Sequence, residues 1–252
     1  VTVTAVVPVL ADSGNNSSFG AGSSIVMTAG TVSYTGAGAS SDRAWSSQGA
    51  NSLRNDGTGA LALSGPLSFV AGGAADSFSL GGSYAGMNTF SGVISGVGDL
   101  VVNSAGTWSL DGVNTRSGRI TVQNGTLRAG SAQVFGTTTG VTIDGGTLDL
   151  NGFDFEAQSL AGSGGMLSLG GATLTLNAAS GNTNYAGNIT DGSLTKLGVS
   201  TQTLSGTNTY TGATTIGGGT LGLNFAAAGG PTSDIHTSLS TLNMNGGSPV
   251  MT

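Results

Sequence analysis

Large apolar residues come in short alternating runs along this chain. Leu148-Asp149-Leu150, Leu174-Thr175-Leu176 and Leu221-Gly222-Leu223 set leucines two apart, and Val1-Thr2-Val3-Thr4-Ala5-Val6-Val7 alternates up to Pro8. On a strand such residues share one face while Thr, Asp or Gly takes the other. Between the runs lie Gly, Asn, Ser and Asp, the residues of turns. The pattern predicts an all-β chain of short strands, each with one buried face. Helix is disfavoured on the same grounds. Glu156 and Lys196 are the single Glu and Lys, and 47 glycines in 252 residues interrupt nearly every helix-length window.

The runs repeat. Gly98 to Leu127 aligns without a gap on Gly192 to Leu221, with identities that include Leu100/Leu194, Leu110/Leu204, Asn114/Asn208, Thr115/Thr209, Gly118/Gly212 and Leu127/Leu221. A shorter motif, Gly-Thr-Leu, recurs at Gly125, Gly146 and Gly219, with a variant at Ala172 and an echo at Ser240-Thr241-Leu242. Its spacings of roughly 20 to 26 residues match one coil of a solenoid per repeat. In such a coil each strand pairs with its equivalents above and below, and inward side chains stack into a thin apolar column. The predicted column holds Leu100, Leu110, Leu127, Leu148, Leu150, Leu174, Leu176, Leu194, Leu204, Ile216, Leu221 and Leu223. Triangular and L-shaped coil cross-sections both fit this pattern.

Three regions are expected. Residues 1–60 lack the repeat and read as an N-terminal cap or assembly region, 61–225 as the β-solenoid, and 226–252, with Pro231, His236 and Pro249, as a C-terminal coil or cap. The chain starts at Val1 without Met or a signal peptide, so it reads as a processed form.

The string from Leu194-Thr195-Lys196-Leu197-Gly198 through Thr201 to Ile216 and Gly219-Thr220-Leu221 resembles the passenger-associated repeats of bacterial autotransporters. Leu100 to Leu127 resembles a degenerate copy, departing from it at Trp108, Asp111, Arg116 and Arg119. The likeness covers roughly residues 78 to 224. It implies a right-handed parallel β-helix exported to the outer surface of a Gram-negative bacterium. No run of lipid-facing strands about 10 residues long fits after Leu223. That leaves either a passenger parted from its barrel or a stand-alone protein built from the same repeat.

Composition narrows function further. Charged residues are 7% of the chain and the formal net charge is −6, which disfavours nucleic acid as a partner. Hydrophobic residues at 37% are too many for a chain kept disordered by polarity. No apolar run reaches the length of a membrane-spanning helix. Without cysteine there is neither a disulfide framework nor a thiolate metal site.

The chemistry-bearing candidates are few. Asp154 and Glu156 would share one strand face opposite Phe153 and Phe155, an arrangement that could serve glycoside hydrolysis in a polysaccharide-active β-helix. A solvated outer face over two core Phe is the plainer reading, since no Arg, Lys or His lies near. Asp144 and Asp149 flank Gly145-Gly146, where calcium or an ordinary turn would fit. His236, the single histidine, has only Asp234 beside it. Phe90, Trp108, Tyr185 and Tyr210 could form an exposed sugar-binding strip or fill coil corners. No catalytic residue, metal ligand or cofactor is assigned, and no enzyme activity is expected.

The sequence alone thus favours an extracellular structural solenoid that self-assembles into a fibre, sheath or surface layer. The strand Val1, Thr2, Val3, Thr4, Ala5, Val6, Val7 would add to another subunit's open coil edge, giving a homopolymer. The alternatives are a monomeric autotransporter-type adhesin that binds host surfaces or glycans, and the polysaccharide-active enzyme.

Overall fold

The computed structural model describes residues 3–70, 76–223, 242–244 and 248–251. Every regular element among them is a β-strand, and the strand ladders are parallel. The chain divides into two compact units, Val1–Thr137 and Thr138–Thr252.

In the first unit each coil contributes to three ladders. One stacks Val3–Val7, Gly30–Tyr34, Ala50–Asn55, Ser77–Gly82 and the leading parts of Asp99–Leu110 and Ser117–Ala129. The second stacks Ala39–Ser41, Leu61–Leu63 and Met87–Phe90, then the trailing parts of those two long strands. The third holds Ser24–Met27, Ala44–Ser47, Leu67–Phe69 and Ile94–Ser95. Alternation turns every second residue inward, so like stacks on like. Val32, Leu53, Leu80, Val102 and Val122 form one buried column, and Ile25, Trp45, Leu67 and Ile94 another. Trp45 meets the edge of Phe78 at a centroid distance of 6.3 Å. Burying such side chains supplies the main drive to fold.

The second unit follows the same rule. Leu148, Leu167 and Ile189 stack in one column, Phe155, Leu174, Leu194 and Thr214 in a second, and Ala157, Leu176, Lys196 and Ile216 in a third. Leu148 and Leu174 therefore occupy different walls and are not successive coils of one wall, as their spacing had implied. The motif opens strands at Thr147, Thr173 and Thr220, on more than one wall, and at Gly125 it lies within the long strand Ser117–Ala129.

Parallel coil strands are not confined to the repeat region. Val3–Val7, Gly30–Tyr34 and Ala50–Asn55, within residues 1–60, belong to the same ladder as the strands that follow. Near the other end, Leu242–Met244 pairs with Thr214–Ile216, and Ser248–Met251 with Thr220–Leu223. In Gly30–Tyr34 and Ala50–Asn55, inward alternation continues the coil where sequence similarity has faded.

Candidate functional site

The two repeat copies fold on themselves in the same way. In the first, Leu100 pairs with Ile120 and Trp108 with Leu127. In the second, Leu194 pairs with Thr214 and Gln202 with Leu221. Each copy wraps one full coil and lays its end beside its start.

The shared Asn-Thr pair sets the height of that wrap. Asn114 Oδ1 accepts the amide of Ile94 at 2.6 Å, and the Thr115 amide donates back to the Ile94 carbonyl at 3.0 Å. Asn208 Oδ1 accepts the amide of Ile189 at 3.1 Å, and the Thr209 amide donates to the Ile189 carbonyl at 2.9 Å. Both asparagines are buried and donate through Nδ2 as well, to the carbonyls of Val134 and Gly206. The matched glycines have a steric cause: a Cβ on Gly118 would lie 2.3 Å from the Gly98 carbonyl oxygen, and on Gly212 2.5 Å from that of Gly192.

The repeat copies differ most inside the coil. Trp108 and Arg116 are buried at the positions of Gln202 and Tyr210, and Lys196 is buried at the position of Val102. Sequence reading missed these interior polar groups. Gln202 clasps the backbone of Leu160, accepting from its amide at 3.2 Å and donating to its carbonyl at 2.8 Å. The buried cations are held by carbonyls. Lys196 Nζ donates to Leu197 and Gly198, Arg116 to Gly98 and Arg119, and Arg43 to Ala11, Asp12, Asn15, Gly20 and Gly22. Burial lowers the Arg116 guanidinium to about 10, against the pull of Asp99. It also lowers Lys196 and raises the Tyr185 and Tyr210 phenols.

The carboxylates are engaged from coil to coil. Asp154 and Glu156 do point outward together, but Asp154 Oδ1 accepts the Thr173 amide at 2.8 Å and Glu156 Oε1 accepts Asn177 Nδ2 at 3.0 Å. Asp144 accepts the amide and hydroxyl of Ser163 in the next coil, whereas Asp149 accepts the nearby Asn151 amide within its own turn. The pattern is general: Asp42 accepts the amide of Ser13, Asp56 that of Ser83, Asp76 that of Gly49 and Asp99 that of Arg119. Among the described residues no group of three or more His, Cys, Asp or Glu is placed to hold a metal ion. No helix there is long and apolar enough to cross a membrane. His236 lies outside the described residues.

Phe90, Trp108, Tyr185 and Tyr210 are all buried, which removes the exposed aromatic strip that had been weighed as a sugar site. Of the residues expected in the apolar column, all are buried except Leu223, which is half-exposed. Of the expected assembly strand, Val1 and Thr2 lie outside the described residues. Val3–Val7 is paired with Gly30–Tyr34, with Val7 buried and Thr4 and Val6 exposed.

Comparison with known proteins agrees with the repeat geometry. The passenger-associated-transport-repeat model matches residues 100–129 and 194–223, the two copies described above. The chain is 45% identical over 251 residues to the adhesin BmaC autotransporter of Brucella suis biovar 1 (strain 1330). That match covers 97% of this chain and 7% of the Brucella protein's length. No solved structure matches.

Proposed function

We propose that this chain, which belongs with the proteins built on the passenger-associated transport repeat, is a non-enzymatic segment of an extracellular adhesin on a Gram-negative surface. The observation that carries this reading is the 45% identity to an autotransporter adhesin across 97% of the chain. Interior and corner chemistry support it. The polar groups with catalytic potential are turned to holding coils together, which leaves the outward walls as the means of contact. The self-assembly reading has less behind it, because the relative that carries the similarity is named an adhesin and nothing in the match points to a polymer.

The test is display of the chain on a non-adherent Gram-negative host behind an unrelated outer-membrane barrel. Cells bearing the chain should attach to cultured host cells above cells bearing the barrel alone, and soluble chain should compete. Equal attachment of the two strains would overturn the reading. Concentration-dependent filaments of the purified chain would restore the polymer reading.

A further inference from the structure

The third ladder of the first unit ends on an open edge. Ser24–Met27 is the last strand of that four-stranded sheet, bonded on one side to Ala44–Ser47, and among the described residues no strand lies on its other side. The Ala44 and Gln48 amides donate to the Ser23 and Met27 carbonyls at 3.0 and 2.9 Å. Successive residues of a parallel strand bond to opposite sides, so Ser24 and Val26 aim their amides and carbonyls at the open edge. An edge of this kind is a template for another strand.

A hollow of about 320 Å³ lies against the edge, lined by Ala5, Phe19, Ile25, Met27 and Val32 among others. It is where the apolar interior stops. Ala5 heads the inward column that runs on through Val32 and Leu53, yet it is only half-buried while those two are buried. Phe19 is half-buried as well. A dry cavity of about 150 Å³ holds a benzene, so the hollow has room for two side chains of that bulk. Two is the number that a four-residue strand turns inward, as Ser24–Met27 does with Ile25 and Met27.

The turns of the coil show which polypeptide reaches this place. Thr28-Ala29 separates Ser24–Met27 from the first-wall strand Gly30–Tyr34, and Gln48-Gly49 separates Ala44–Ser47 from Ala50–Asn55. Counted back by the same step from Val3–Val7, a strand laid over Ser24–Met27 ends immediately upstream of Val1. Polypeptide tethered there meets the edge at the effective concentration of a short linker, in the millimolar range, an advantage that a second copy lacks. The Brucella adhesin itself runs far beyond the stretch matched by this chain.

We propose that the open edge of Ser24–Met27 seats a further coil of the same polypeptide, a parallel strand joined to Val1 whose two inward apolar side chains fill the hollow. The chain is then an internal stretch of a longer rod. This stands or falls independently of what the rod adheres to.

The experiment extends the intact chain at its N-terminus with Ser-Thr-Leu-Thr-Leu, with the phase-shifted Ser-Leu-Thr-Leu-Thr, or with a Gly-Ser segment of the same length. Native-state hydrogen exchange at the Ser24 and Val26 amides is the readout, with the Thr195 amide of the second unit as reference. At least one alternating extension should slow exchange at both amides ten-fold or more and raise the urea midpoint, whereas the Gly-Ser segment should do neither. Val26→Pro removes an amide that faces the edge and none that bonds to Ala44–Ser47, so it should cancel the gain at Ser24. The urea midpoint of the unextended Val26→Pro chain establishes its folding, and should it not fold, the three extensions decide alone. Equal exchange in all three extended chains, or a gain that survives Val26→Pro, would overturn the proposal. Protection of Ser24 and Val26 that appears in the unextended chain as its concentration rises would overturn it in favour of a second copy.

Discussion

Asn208 is the residue through which the repeat holds its own coil spacing, and Asn208→Ala tests this. The side chain is buried, accepts the Ile189 amide at 3.1 Å and donates to the Gly206 carbonyl at 3.1 Å. Alanine leaves an amide and a carbonyl without partners where water does not reach. Each orphaned buried group costs about 1 to 3 kcal/mol, so the loss should be about 2 to 6 kcal/mol. Asn114→Ala should cost a similar amount, through the Ile94 amide and the Val134 carbonyl. Thr209 makes its contact with Ile189 through its backbone, and its side chain is exposed. Thr209→Ala should therefore stay within about 0.5 kcal/mol. Urea unfolding followed by far-ultraviolet circular dichroism gives the stabilities, and native-state hydrogen exchange at the Ile189 amide reports the local opening. If Asn208→Ala and Thr209→Ala unfold together, with unchanged protection at Ile189, the asparagine does not set the spacing.

Three further outcomes are expected. Lys196→Val, which installs the residue found at the equivalent Val102, removes a buried cation held only by carbonyls and should stabilise by about 1 kcal/mol or more; a lower urea midpoint would reject that account. Arg43→Ala frees the carbonyls of Ala11, Asp12, Asn15, Gly20 and Gly22, so chymotrypsin should cut after Phe19 in the variant well before the parent, and equal resistance would show the loop is held otherwise. Alkaline pH should destabilise. Tyr185 and Tyr210 ionise less readily folded than unfolded, so the stability they lend is present below about pH 10 and lost above it, at about 1.4 kcal/mol per pH unit each. Arg116, lowered to about 10, works the other way, because the unfolded chain holds its proton longer and folding gains as pH rises beyond 10. Two phenols outweigh one guanidinium, so the urea midpoint should fall between pH 10 and 12, and Tyr210→Phe should flatten the fall; a midpoint that rises would contradict the sign.

The strand class and the repeat were legible because both depend on alternation. Leu100, Leu110, Leu194 and Leu204 are all buried, and their parity in the alternation turns them inward. The assignment of strands to walls was not legible. Around Leu148 and Leu174 the motif marks where a strand begins after a turn, and a coil has several such places, so the two could be spaced like neighbours yet stand on different walls. Nor were the buried cations visible as such. Their partners are backbone carbonyls, which leave no trace in side-chain sequence. Parity did carry a signal for Lys196, since Leu194-Thr195-Lys196 places it on the same face as Leu194. The charge on the residue argued against the inward position that its spacing required.

The sparse acids of this chain follow from the same geometry. Where a coil turns a corner the parallel ladder stops, and an amide there needs another acceptor. A carboxylate one coil away can supply it, as Asp99 does for Arg119, Asp144 for Ser163 and Asp154 for Thr173. Hydrogen bonds from Ser13 likewise hold the Asp42 carboxyl below its ordinary range, so this contribution is present at neutral pH and lost as the carboxylate takes up a proton in acid. Acids used this way are fixed at turns and strand ends by the needs of the backbone. The outward middle of a wall carries no such demand, and its side chains can vary without loosening the coil. In the third ladder of the first unit that freedom is filled by serine and valine, with no charge among them. The second ladder does the same through Ser40, Ala62, Thr89 and Ser109, and reaches a charge only at Arg128.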